Sequence, residues 1–384
     1  MFTTPTLTVS LPAIVANWQT LRARFTGEEC AAVVKADAYG LGAVPIARAL
    51  EAAGCHTFFV ATLEEGICLR EALPDVRILV FHGVLAGEEF AFAAHRLIPV
   101  LNSIPQIERW KPVAAEHVHA VSAIHIDTAM ARLGLQPAEF GSLIARDRNV
   151  LEACRVGLMM SHLACAPEAD HALNAQQLTR FEAARMHAPH IPASFCNSGG
   201  ICLPKEFHFQ LARPGCSLYG IAPQSTPSVN GAVRRVSEPL AVGVKEGQAP
   251  LQINQVATWN APILMTRTLE REQTIGYGAT ANAAKGTRVA TVASGYADGY
   301  LRYLSNKAVG YVGEHRVKLI GRVTMDMLCF DVSNVPEALV HEGASITLLG
   351  DRDGIRVDEM ASSADTIGYE VLTRIGPRVK RVYA

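Results

Sequence analysis

Short apolar strands alternate with helical patterns through the first two-thirds of this 384-residue chain, and that alternation limits the fold more than any other feature. Strand candidates are Cys30–Lys35, Thr57–Ala61, Arg77–Phe81, Leu97–Leu101, Val121–Asp127, Val156–His162, Ala193–Cys196 and Phe209–Arg213. Helical patterns fall between them at Val44–Ala53, Leu63–Ala72, Glu88–Ala94, Pro105–Ala115, Pro137–Ala145 and Ala172–Met186. Eight strands, most followed by a helix or helical turn within roughly 190 residues, predict an α/β chain built on a (β/α)8 barrel. A doubly wound open sheet is the alternative. The absence of a Gly-x-Gly-x-x-Gly turn after the first strand weighs against it.

The character changes after Tyr219-Gly220. Residues 223–255 are rich in Ser, Pro, Gly and Val, contain Arg234-Arg235, and read as a linker or inserted loop. From there to the end the segments are alternating and β-branched, separated by Gly, Asn and Asp; examples are Thr287–Ser294, Ala308–Val312, His315–Val323, Met327–Val332 and Ser345–Leu349. Helical stretches at Val357–Ser363 and Thr366–Arg374 close the chain. The reading is therefore a barrel over residues 11–222 and a mostly β domain over 256–384, which the N-terminal strand within residues 1–10 joins.

Lysine and arginine number 35 against 36 aspartates and glutamates, so there is no basic excess of the kind a nucleic-acid protein carries. No apolar run approaches the ~20 residues that span a bilayer. Met1–Ser10 has no basic region followed by an apolar core, so no signal peptide is expected. The nine cysteines stand singly, without a Cys-x-x-Cys pair or a repeated ligand spacing. They read as reduced core thiols of a cytoplasmic protein with no metal site.

The chemistry-bearing residues gather where barrel strands end, the face on which such folds place their sites. Lys35-Ala36-Asp37-Ala38-Tyr39-Gly40 follows the first strand. A lysine there is ordinarily a solvated loop residue. At a barrel mouth it can instead form a Schiff base with an aldehyde, provided burial or a nearby cation depresses its reference pKa of ~10.4. Asp127-Thr128-Ala129-Met130-Ala131-Arg132-Leu133-Gly134 follows strand five, and Ser161-His162-Leu163-Ala164 ends strand six. Asn197-Ser198-Gly199-Gly200 follows strand seven, and Arg213-Pro214-Gly215-Cys216-Ser217-Leu218-Tyr219-Gly220 follows strand eight. Loops seven and eight are the usual phosphate-binding place of this fold. The second domain carries Gly276-Tyr277-Gly278-Ala279-Thr280, Gly295-Tyr296-Ala297-Asp298-Gly299, Gly321-Arg322-Val323-Thr324-Met325-Asp326 and Thr366-Ile367-Gly368-Tyr369-Glu370. Each motif alone reads as an ordinary turn, cap or packed residue.

Together, in this order and from Lys35 to Tyr369, they resemble the motifs of the alanine racemases, pyridoxal-phosphate enzymes that act as head-to-tail homodimers. The resemblance implies pyridoxal 5'-phosphate as cofactor and a small amino acid as substrate. It implies a two-base reaction in which Lys35 serves one face of the substrate and Tyr277 of the other subunit the opposite face. Tyr39, His162, Asn197, Ser198, Arg213, Gly215, Cys216 and Tyr369 would hold the cofactor. Ser198, Gly215 and Cys216 would take its phosphate. Arg213 would face the pyridine nitrogen, which an arginine cannot protonate. Arg132 would steer the substrate carboxylate, Met325 would offer it a backbone N–H, and Tyr296 would line the approach. One product would be D-alanine, of use in cell-wall synthesis; the sequence leaves that role and alanine catabolism open. A broader serine or amino-acid racemase is the alternative within the family; a decarboxylase or aldolase of the same fold type, or a non-catalytic pyridoxal-phosphate-binding protein, are alternatives outside it. Among the departures from the family pattern, Asp37 stands for asparagine, Leu41 for histidine, Ala129 for glycine, and His125 for a lysine that many members carry as a carbamate to orient the arginine.

Overall fold

A computed structural model describes residues 4–223 and 251–384. The greater part of the segment read as a linker, 224–250 with Arg234-Arg235, lies outside the described residues.

The chain opens on β1 (Thr6–Val9) and α1 (Leu11–Arg24). Ser10 caps α1 through its hydroxyl, and Pro12 sits in the first turn, where its missing N–H costs nothing. The barrel strands follow: β2 (Glu29–Cys30), β3 (Ala32–Val33), β4 (Thr57–Val60), β5 (Arg77–Val80), β6 (Ile98–Leu101), β7 (Ser122–His125), β8 (Val156–Met160), β9 (Ala193–Ser194) and β10 (Leu211–Ala212). All neighbouring pairs are parallel, in the order β2-β10-β9-β8-β7-β6-β5-β4-β3. β2 and β3 are two pieces of one first strand. β2 pairs with β10 on one side and β3 with β4 on the other, so the sheet closes on itself.

The crossovers carry α2 (Lys35–Gly40), α3 (Ala43–Ala52), α4 (Leu63–Ala72), α5 (Glu89–Ala94), α6 (Ile104–Glu116), α7 (Pro137–Arg146), α8 (Val150–Ala153) and α9 (Ala172–Arg185). Among the described residues, 3-10 turns follow β9 and β10. α1, which the strand-and-helix pattern did not single out, covers that side. Its Trp18 Nε1 donates to Cys30 O (3.1 Å) and its Asn17 amide to Leu218 O (3.2 Å). Inside the barrel, Val33, Phe59, Leu79, Val100, Ala123, Met160 and Leu211 pack as a filled core rather than a channel.

In the second domain come β11 (Ala257–Thr268), β12 (Gln273–Thr274), β13 (Asn282–Ala283), β14 (Arg288–Val292), β15 (Val309–Val312), β16 (His315–Leu319), β17 (Leu328–Asp331) and β18 (Ser345–Leu349). α10 (Val357–Ser363), α11 (Gly368–Thr373) and β19 (Lys380–Tyr383) complete the chain. The order β14-β17-β16-β15-β18-β11 closes through a β14–β11 pairing into a small antiparallel barrel. The first half of β11 also takes β1 antiparallel, and β1 takes β19 in parallel. The N-terminal strand thus belongs to this sheet, while α1 immediately after it belongs to the other barrel. One continuous apolar cluster, running from Leu7 through Val34 and Ile221 to Val379, joins the two.

α2 is the irregular element that matters most. Ala36, Asp37, Ala38 and Tyr39 all have φ between 51° and 58°, a left-handed turn built from L-residues without a glycine. That conformation costs about 1–2 kcal/mol per residue. The structure holds it from several sides. Asp37 Oδ1 accepts from Ala43 N–H (2.7 Å) and Glu65 Oε1 from Ala36 N–H (2.7 Å). Arg381 donates to Gly40 O through Nε and a terminal nitrogen (3.2 and 2.9 Å).

Candidate active site

Left-handed winding after β3 puts Lys35 and Tyr39 on the C-terminal rim of the large barrel. There they line a cavity of about 870 Å³ whose far wall comes from α10 and α11. Arg132, His162, Asn197, Ser198, Arg213, Gly215, Cys216 and Tyr369 line the same cavity. Ten of the residues singled out from the motifs therefore meet at one place.

Lys35 Nζ lies 5.7 Å from the centre of the Phe81 ring. Burial lowers its pKa, the Arg132 guanidinium lowers it further, and the Glu65 carboxylate opposes them. The amine is thus moved toward the neutral form that a nucleophile or base needs. Arg213 is 2% exposed. It donates to Ser161 O (2.6 Å) and to the Ser194 hydroxyl, while its Nε–H is buried without an acceptor. Burial brings its pKa down to about 10, so it remains a cation at neutral pH.

Beside Arg213 the two histidines are held neutral. Burial, then Arg213 and Arg132, push His162 well below its ordinary value. Burial and Arg213 bring His125 down to about 4. The Asn102 amide N–H2 is committed to Phe81 O (2.9 Å) and Val100 O (2.8 Å), so its oxygen must accept. The proton of neutral His125 therefore sits on Nδ1, 2.9 Å from Asn102 Oδ1, and Nε2 is left as an acceptor. A neutral acceptor thus stands where a carbamate's charge would be. The loop that carries Arg132 is shaped by Asp127, whose Oδ1 accepts from Ala129, Met130 and Ala131 N–H (3.0, 2.8 and 3.1 Å). Ala129 pays for the missing family glycine with φ = 124°, and Ala131 has φ = 54°.

On the opposite side of the cavity, Tyr39 is packed between Tyr219 and Tyr369, with ring centres 4.7 and 5.6 Å away. Tyr219 is pinned by its hydroxyl to Val33 O (2.7 Å). Ser198 Oγ accepts from Gly215 N–H (3.0 Å) and Ser217 N–H (3.4 Å), which leaves its own proton to donate. The Gly215 amide is thus engaged by Ser198 rather than standing free. Gly215 also needs to be a glycine, since a Cβ there would lie 2.6 Å from the Tyr39 hydroxyl. Burial keeps the Cys216 thiol protonated. These hydroxyls and the orphaned guanidinium N–H suit a ligand that brings anionic oxygens at one end and an uncharged ring acceptor at the other.

Tyr277, Tyr296 and Met325 do not line this cavity. They are 73, 44 and 53% exposed. Tyr277 is presented outward on a turn in which Gly276, Gly278 and Ala279 all have positive φ, with the Arg322 guanidinium against Gly278.

Two cavity features were missed from the sequence. Glu65 reaches Ala36 from the first turn of α4; its Thr62-x-x-Glu65 spacing was readable as a capping box, but its long-range bond was not. Asp358 on α10 accepts from Ala222 N–H (2.9 Å), tying the end of the large barrel to the second domain. Burial raises its carboxyl from 3.8 to about 6. A raised carboxyl stabilises the fold most below its unfolded pKa, and that contribution is lost as pH rises through the folded value. Asp358→Asn keeps the acceptor and removes the titration. Between pH ~4 and ~6.5 the wild type should lose about 2 kcal/mol relative to the variant. Denaturant unfolding of both proteins over that range checks it, and parallel curves would contradict the burial assigned to the carboxyl.

Comparison with known proteins places these features in a family. The family model described as alanine racemase, N-terminal domain, matches residues 9–223, and that for the C-terminal domain matches residues 256–383. An alanine racemase of Rhodospirillum rubrum is 45% identical over 99% of this chain and 96% of its own length. That of Acidiphilium cryptum is 42% identical over 98% of both chains. Among solved structures, alanine racemase from Bartonella henselae with covalently bound pyridoxal phosphate superposes with a TM-score of 0.86 at 35% identity, covering 99% of each chain. The biosynthetic alanine racemase of Pseudomonas aeruginosa gives 0.83 at 31% identity over the full length of both.

Proposed function

Since the chain belongs to the alanine racemase family, we propose that it interconverts L- and D-alanine with Lys35 of one subunit and Tyr277 of a second copy as the two bases. The family depends on pyridoxal phosphate. When bound, that cofactor supplies the electron sink for charge developing at the substrate Cα. Ser198, the Tyr39 hydroxyl and the backbone around Gly215 would hold its phosphate, and Arg213, whose Nε–H is unpaired, would face the ring nitrogen. As a guanidinium Arg213 would give up no proton there. His162 and Asn197 would complete the contacts with the ring, and Cys216 and Tyr369 those around the phosphate.

Arg132 receives the substrate carboxylate, with Met325 of the second copy adding a backbone N–H. Lys35 Nζ takes the Cα proton of the D-enantiomer, and the Tyr277 oxygen of the second copy takes that of the L-enantiomer. Each base returns a proton to the face it serves, so the reaction runs both ways. Tyr296 of the second copy narrows the approach, which favours a side chain as small as a methyl group.

The observation that carries this reading is the division of the motif residues. Lys35 and nine others line one cavity, while Tyr277, Tyr296 and Met325 lie exposed on the outer face of the same chain. A site completed by a second copy uses both sets. Among the described residues no helix is long and apolar enough to cross a membrane, and all nine cysteines are free.

The test is a chiral assay of the purified protein with D- and L-alanine and a panel of amino acids. Equilibration of alanine from either side, with serine slower, is the expected result. Decarboxylation or aldol cleavage without racemisation would overturn the reading.

A further inference from the structure

We propose that Glu65 is a positioning residue for Lys35, its carboxylate clamping the left-handed turn that follows the lysine to the end of the neighbouring barrel strand. Glu65 Oε1 takes the Ala36 N–H at 2.7 Å, and Oε2 takes the Ala61 N–H at 2.7 Å and the Thr62 N–H at 3.4 Å. One bidentate side chain on α4 thus ties the residue after Lys35, beyond β3, to the residue after Val60, at the end of β4. Hydrogen bonds to an ionised acceptor are the stronger kind. The Ala36 bond spans 29 positions in the chain, so helix capping does not account for it.

The clamp opposes backbone strain in the turn. Four successive L-residues stand at φ between 51° and 58°, a conformation that relaxes unless it is held. Were Ala36 to relax, the peptide that joins it to Lys35 would lose its anchor on α4, and the backbone seat of the lysine would loosen with it. Asp37 and Arg381 grip the far end of the turn at Ala43 and Gly40; at the end next to the lysine, Ala38 N–H bonds Val34 O (2.9 Å), and Glu65 adds the side-chain grip there among the described residues. Its charge also bears on the amine. It opposes the lowering of the Lys35 pKa by burial and Arg132, keeping the amine a stronger base than the cavity alone would leave it.

The inference rests on the assignment of Lys35 to the cofactor, and the tests separate the two. Glu65→Gln keeps the shape but offers an N–H2 where one backbone N–H needs an acceptor, and it removes the charge. Thr62→Ala breaks only the other half of the capping box, the bond from Glu65 N–H to the Thr62 hydroxyl (3.3 Å). Glu65→Gln is expected to weaken cofactor binding to the stripped enzyme about tenfold or more. It should also move the pH midpoint for labelling Lys35 with an amine reagent to lower pH. Thr62→Ala should lower the melting temperature and move neither. Equal effects of the two substitutions on the midpoint, or no effect of either, would overturn the proposal. If Glu65→Gln does not fold, hydrogen exchange of the unaltered holoenzyme decides. The exposed Ala36 amide should exchange as slowly as neighbouring strand amides, and fast exchange there refutes the clamp. Neither exchange nor labelling depends on turnover, so they stand even if the cofactor assignment to Lys35 fails.

Discussion

Lys35→Ala is expected to lose the visible absorbance of lysine-bound cofactor and to lower racemase turnover by at least about 10⁴-fold. Among the described residues lining the cavity, Lys35 is the one lysine, so no neighbouring amine stands ready to replace it. Its removal takes away the covalent anchor and one of the two bases together. The phosphate cradle of Ser198, Tyr39 and the Gly215 backbone remains, so added cofactor should still bind, reversibly and without the lysine-linked spectrum. Spectroscopy of the purified variant with a chiral assay checks both parts. A variant that keeps the lysine-bound absorbance would remove Lys35 from the centre of the reaction.

Tyr277→Phe is expected to reduce racemisation by about 10²–10⁴-fold, the usual contribution of a positioned acid–base group, with cofactor binding and spectrum unchanged. The spectrum stays because Tyr277 is exposed and lies away from the cavity of its own chain. The same exposure makes a sharper experiment possible. Subunits carrying Lys35→Ala and subunits carrying Tyr277→Phe are each inactive as homodimers. If a site takes its lysine from one chain and its tyrosine from the other, each mixed dimer has one intact site. Random reassociation of equal amounts then restores roughly a quarter of wild-type activity. No recovery on demonstrated subunit exchange would place both bases in one chain. Full activity of Tyr277→Phe would dispose of the tyrosine as a base.

The site was legible in the sequence to an uneven degree. Strand ends could be read because an apolar run followed by Gly, Asp or Asn marks where a buried strand meets solvent. In a barrel all such ends point to one rim. That is why the sequence alone brings Lys35, Arg132, His162, Ser198 and Arg213, spread over some 180 positions in the chain, to one place. The left-handed turn was not legible. Nothing in Ala36-Asp37-Ala38-Tyr39 announces positive φ, since glycine is the usual marker and is absent there. α1 is not legible as a barrel helix because it precedes the first strand and covers the β10 side only once the barrel closes. Asp358 carried no signal, because its effect depends on burial against Ala222 from the other domain.

Order and residue type by themselves determined the barrel, the β domain after it, and ten residues that meet in one cavity, because periodicity and motif spacing are local properties of the chain. The tertiary structure alone decided how those side chains are tuned. Lys35 loses basicity because distant segments bury it and bring up Arg132, and regains some from Glu65. Arg213 keeps an unpaired N–H because its other donors go to Ser161 and Ser194. Tyr277 is left outside the cavity of its own chain, exposed on a turn of positive-φ residues. Desolvation, field and direction are set by neighbours remote in sequence, and no run of residues states them in advance.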